Sequence, residues 1–86
     1  MIKLTPEIVA SAYDFVRLLP PFSRWQLPPS TGVRFSITGH RDRHGDYSDW
    51  HIRVSRNAVE TSQVLLITVA HEATHLAQDI ARTAST

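Results

Sequence analysis

Apolar positions along the chain switch between two periods, and each switch marks an element. Ile8, Ala12, Phe15, Val16 and Leu19 recur at helical spacing. Thr5 precedes them as a cap, Pro6 suits the first helical position, and Glu7 favours the positive end of the helix dipole. Pro20-Pro21 ends the run, because a proline pushes the residue before it out of the α region. The pattern predicts a helix over residues 6–18. Residues 20–32 hold Pro20, Pro21, Pro28 and Pro29, so they predict a stiff connection whose Phe22, Trp25 and Leu27 pack over the core edge. A proline-motif ligand for a partner domain is the weaker alternative.

The period then drops to two. Val33-Arg34-Phe35-Ser36-Ile37-Thr38 alternates apolar and polar, and Trp50-His51-Ile52-Arg53-Val54-Ser55 does so again. Ile52 and Val54 point one way; His51, Arg53 and Ser55 point the other. The polar, turn-rich residues 39–49 between them suggest an antiparallel β-hairpin with a long loop.

Helical spacing returns after Asn57-Ala58-Val59-Glu60, which reads as a cap with Thr61 or Ser62 as its rival. On a wheel of about 100° per residue, Leu65, Leu66, Val69, Ala70, Ala73, Leu76, Ala77 and Ile80 make one broad apolar face. His71, His75, Thr68 and Gln78 fall opposite, and Glu72 sits at the border. The helix is expected to reach about Arg82, with Thr83, Ala84, Ser85 and Thr86 fraying.

Composition narrows this picture only a little. With 86 residues, one domain spanning 1–86 is expected, small enough to benefit from a metal or a partner as a staple. The absence of cysteine removes disulfides and thiolate zinc sites and fits a reducing compartment. A net charge of +1 makes no strong case for nucleic acid or a membrane surface. The N-terminus lacks the pattern of a signal peptide, and the apolar run at 64–70 is too short to cross a bilayer. A soluble, cytoplasmic protein is the expectation.

The chemistry is concentrated in Val69-Ala70-His71-Glu72-Ala73-Thr74-His75-Leu76. Two histidines four apart stand one above the other on a helix, about 6 Å of rise apart, so both imidazoles reach one metal ion, usually zinc. Glu72 is then placed as general base towards a water that the metal activates. The bland alternative is two solvated histidines on a polar face. The helical context and the non-core side on which His71 and His75 fall weigh against it.

A catalytic zinc site takes three protein ligands, and only two are evident. The longer zinc-protease motif is excluded, since it needs glycine at Gln78 and histidine at Ala81. His71, His75 and Asp79 would span about 12 Å along the helix, too long a line for one ion, so Asp79 is expected to orient His75 or to be solvated. The loop histidines, another chain or a residue beyond Thr86 remain, and the last is favoured. His40, His44 and His51 are expected to be solvated. Arg41, Arg43, Arg53 and Arg56, offset by Asp42, Asp46 and Asp49, read as a solvated face rather than a phosphate site.

Helix, hairpin, then Leu65-Leu66-Ile67-Thr68-Val69-Ala70-His71-Glu72-Ala73-Thr74-His75-Leu76-Ala77-Gln78 resembles the SprT-like family of zincin metallopeptidases, its phage and bacterial members above all. The resemblance covers about residues 33–82. It implies His71 and His75 as zinc ligands and Glu72 as the catalytic acid/base. It also implies a further histidine in a short segment after the motif helix. That histidine is not in this sequence, which suggests an N-terminal fragment of a longer domain or a degenerate member. The family further implies proteins bound to DNA as substrates.

The expectation is thus a small α+β, zincin-like domain with an N-terminal helix, an antiparallel hairpin and a long C-terminal motif helix. It would hold Zn2+ and hydrolyse a peptide or protein in a bacterial or phage-infected cell. The rivals are a non-catalytic zincin-like module that binds metal or a partner, and a plain α+β protein whose motif is accidental.

Overall fold

The computed structural model describes residues 3–84 and has a small α+β fold, two helices on one face of a three-stranded mixed sheet. Helix α1 is Pro6–Arg17. Thr5 caps it with its hydroxyl oxygen accepting from the Ile8 N–H at 3.1 Å, and Leu18 closes it. Its buried face is Val9, Ala12, Tyr13 and Val16. Ile8, Phe15 and Leu19, expected on the core stripe, are exposed. Two apolar stripes run along this helix, and the one carrying Tyr13 meets the core; its hydroxyl donates to the Pro28 carbonyl at 2.7 Å, and its ring packs on Phe35. The connection that follows contains a cis Pro20-Pro21 peptide and two 3-10 turns, Phe22–Trp25 and Ser30–Gly32. Leu27 is buried and Phe22 packs on the core, whereas Trp25 is exposed.

The sheet departs from the hairpin expected. Strand β1 (Arg34–Thr38) and strand β3 (His51–Ser55) pair in parallel, with Phe35 opposite Ile52 and Ile37 opposite Val54. A further strand, β2 (Gly45–Ser48), lies inside the expected loop and pairs antiparallel with β3, giving the order β1-β3-β2. The hairpin is therefore β2–β3, turned in two residues by Asp49 and Trp50. Their φ values of 47° and 63° follow the type I′ pattern that matches strand twist. Loop 39–44 must then cross the end of β3, about 10 Å from one outer strand to the other. Ser55 holds it there: its N–H donates to the His44 carbonyl at 2.8 Å and its hydroxyl donates to the His40 carbonyl. Expected on the outward face, Ser55 is instead fully buried beneath this crossing.

Helix α2 is Ser62–Ala84. Thr61 caps it, its hydroxyl oxygen accepting from the Val64 N–H at 3.1 Å, so the start belongs to Thr61 rather than to Asn57. Thr83 and Ala84 continue the helix instead of fraying; Ser85 and Thr86 lie outside the described residues. Leu65, Val69, Ala73 and Leu76 are buried against α1 and the inner face of the sheet, where Ile52 and Val54 are fully covered. Among the described residues no helix is long and apolar enough to cross a membrane.

Candidate metal centre

Packing of α2 sets the site. With Leu65, Val69, Ala73 and Leu76 turned to the core, His71 and His75 are carried to the exposed side. Their Nε2 atoms stand 3.3 Å apart, the rings nearly perpendicular at 82°. Two nitrogens each about 2.0–2.1 Å from a tetrahedral zinc are separated by about 3.3–3.4 Å. The pair thus fits two ligand positions of one ion. Without an ion the same separation lets one ring donate a weak hydrogen bond to the other.

Glu72 and Thr68 come out differently from the wheel. Both are 5% exposed, because β2 lies against this flank of α2. The contact depends on Gly45. A Cβ there would stand 2.7 Å from the Arg53 carbonyl oxygen, 2.9 Å from Thr68 Cγ2 and 3.5 Å from Glu72 Oε2. Burial pushes the Glu72 carboxyl above its ordinary value; His71 and His75 pull it back down, and Asp46 adds to the rise. The result is a shielded carboxyl beside two imidazoles, the arrangement a proton acceptor needs.

The groove between β2 and α2 widens on both sides of this centre. One lobe, of about 530 Å³, reaches past Gly45, Thr68, Ile67 and Val64, with Arg43 and His44 along it. The other, of about 400 Å³, runs past Tyr47, His75, Gln78 and Asp79. His71 and Glu72 line both lobes.

Asp79 does not orient His75. Its carboxylate accepts from the Tyr47 hydroxyl at 2.7 Å and from Arg82 at 2.6 Å, tying β2 to the last turns of α2. Those two hydrogen bonds, Tyr47 first, hold Asp79 below the usual carboxylate range. The Tyr47 hydroxyl, pushed up to about 12 by burial and then by Asp79, also accepts from the Trp50 N–H at 3.0 Å.

The remaining histidines are dispersed. His51 lies on the sheet face away from the helices, where its Nε2 meets the Ser36 hydroxyl at 2.6 Å. Burial, then Arg53 and Arg34, lowers its pKa. His40 is exposed in the crossing loop, and His44 borders the groove without joining the pair. Among the described residues no three His, Cys, Asp or Glu side chains come together as a metal cluster.

Gly45, Tyr47 and Ile67 belong to the site and carry no sequence signal of it, since the first two reach α2 only through the unforeseen strand. Compared with protein-family models, with curated proteins and with solved structures, the chain matches none.

Proposed function

We propose that the chain is a zincin-type peptidase domain, related to the SprT-like family, in which His71 and His75 hold zinc and Glu72 is the general base. The observation that carries this reading is the 3.3 Å imidazole pair with a buried carboxyl one residue on. When bound, zinc supplies a Lewis acid that polarises a carbonyl and lowers the pKa of water towards about 7.

The chain's own groups do the rest. β2 is an edge strand beside the histidines, so its outer main-chain groups are available to an extended peptide. Glu72 accepts a proton from the attacking water and delivers it to the leaving nitrogen as the C–N bond breaks. A carboxylate and an amine are the products. Burial, which raises the carboxyl pKa, makes Glu72 a stronger base than an exposed carboxylate. A second reading, a non-catalytic module that binds metal or a partner, is favoured by the dispersal of the other histidines away from the pair.

Metal analysis after dialysis, followed by a peptidase assay, separates the readings. Near-stoichiometric zinc in the protein and its loss in His71→Ala are expected. Cleavage of an unstructured protein should fall by about 10²–10⁴-fold in Glu72→Ala. Zinc retained with no cleavage assigns the chain to the second reading. No zinc in the parent protein removes the metal site altogether.

A further inference from the structure

We propose that Ser36 and His51 form a second reactive site, a nucleophile and its base on the sheet face turned away from the helices, and that it takes small esters carrying a carboxylate. The proposal is independent of the peptidase reading, because α2 and its histidine pair pack on the opposite side of the sheet.

Strand register builds the pair. Side chains alternate along a strand, so with Phe35, Ile37, Ile52 and Val54 turned to the core, Arg34, Ser36, His51 and Arg53 share the outer face. β1 and β3 run parallel, with Arg34 opposite His51 and Ser36 opposite Arg53. Ser36 therefore lies diagonal to His51, and the two side chains close that diagonal at 2.6 Å from Oγ to Nε2. At this separation an imidazole takes the proton of an attacking hydroxyl. Both residues are half-buried, partly shielded from water yet open to a small molecule.

The surrounding charges set the protonation state and select the substrate. His51 faces Arg34 on β1, Arg53 on its own strand and Asp46 on β2. Burial first, then Arg53 and Arg34, holds its pKa below the ordinary value, so the ring is neutral at pH 7 and Nε2 accepts from Ser36. Asp46 is paired with Arg53 at 2.5 Å. Arg34 has no carboxylate partner among the described residues, so it is the uncompensated charge beside the pair. An ester that also bears a carboxylate is drawn to Arg34, which brings its carbonyl to Ser36.

In the reaction, Ser36 Oγ bonds to the ester carbonyl carbon as its proton passes to His51 Nε2. Arg53, across the ladder from Ser36, is the cation beside the oxyanion that forms. Collapse breaks the bond to the leaving oxygen, which takes the proton from His51. Water, deprotonated by the same imidazole, then hydrolyses the acyl-Ser36 ester and restores the hydroxyl, with a carboxylic acid as the second product.

The intact chain, kept in EDTA to exclude metal chemistry, is mixed with m-acetoxybenzoate or with its uncharged methyl ester. Phenol release is followed by absorbance, and acid-quenched samples are mapped by peptide mass spectrometry. An acetyl group on Ser36 is expected, with m-acetoxybenzoate reacting at least about tenfold faster than the methyl ester. In His51→Gln, which keeps a polar side chain but no base, the rate should fall about 10²–10⁴-fold. Arg34→Ala should bring the two esters to within about twofold of each other. Phenol release that is the same in Ser36→Ala as in the parent overturns the site, as does an undiminished rate in His51→Gln. Acetyl groups confined to other side chains of the parent overturn it without any variant. Acetylation of Ser36 at equal rates by the two esters overturns the assigned substrate class.

Discussion

Gly45 has an ordinary φ, so its lack of a side chain answers to space rather than to backbone freedom. Strand β2 lies close against the flank of α2 at this position, and the closest neighbour a methyl group would meet is main chain, the Arg53 carbonyl of β3 at 2.7 Å. Main chain does not rotate away as a flexible side chain does. Gly45→Ala should therefore push β2 away from β3 and α2 and destabilise the protein by about 1–3 kcal/mol. Chemical denaturation measures this, and a midpoint equal to that of the parent would show that β2 has slack against β3 and α2. Trp50 is the reverse case, a bulky residue with φ at 63°. Its N–H bonds to the Tyr47 hydroxyl and its carbonyl accepts from the Arg34 N–H at 3.0 Å, so both neighbouring strands fix the conformation.

Among the elements, the tether from Tyr47 to Asp79 joins β2 to α2 beyond the histidines. Asp79 titrates below the usual carboxylate range in the folded protein, so ionising it favours folding. That contribution is complete above the unfolded carboxylate pKa and is lost as pH falls through the lowered folded value. Tyr47→Phe removes its main cause. The variant should unfold at lower denaturant than the parent at pH 7, and the gap should narrow as the solution is acidified through the carboxylate range. A gap that stays constant with pH would place the effect of the hydroxyl elsewhere. The same elements show what was legible beforehand. Thr5-Pro6 and Pro20-Pro21 marked the ends of α1, but Ile8, Phe15 and Leu19 share helical spacing with the true core face, and only packing chooses between stripes. The motif on α2 was legible because its parts are four residues apart on one helix. β2 was not, since Gly45-Asp46-Tyr47-Ser48 has one residue of high strand propensity and Asp49-Trp50 lacks the glycine that usually announces such a turn. Missing β2 also reversed the inferred pairing of β1 with β3, and it left Glu72 and Thr68 looking uncovered.

The whole molecule has one apolar layer, shared by both helices and the inner sheet face. The other sheet face is polar, with Ser36, His51 and an Arg53–Asp46 ion pair at 2.5 Å. The groove follows the seam where the outer strand meets the motif helix, so the chemistry sits at the edge of the core without interrupting it. Strand order has a further consequence, in time. β3 lies in the middle of the sheet, yet it is the last of the three strands to be synthesised. β1 and β2 do not pair with each other, so a growing chain that has reached Trp50 has no ladder to close. Residues 51–55 supply both ladders at once. A chain ending at Trp50 should accordingly show rapid amide exchange throughout residues 34–48, and protected amides at 34–38 would contradict this. Until His51–Ser55 has left the ribosome, the apolar face of β1 has α1 as its earlier-made packing partner and no strand to pair with, which leaves both of its edges to chaperones or other nascent chains.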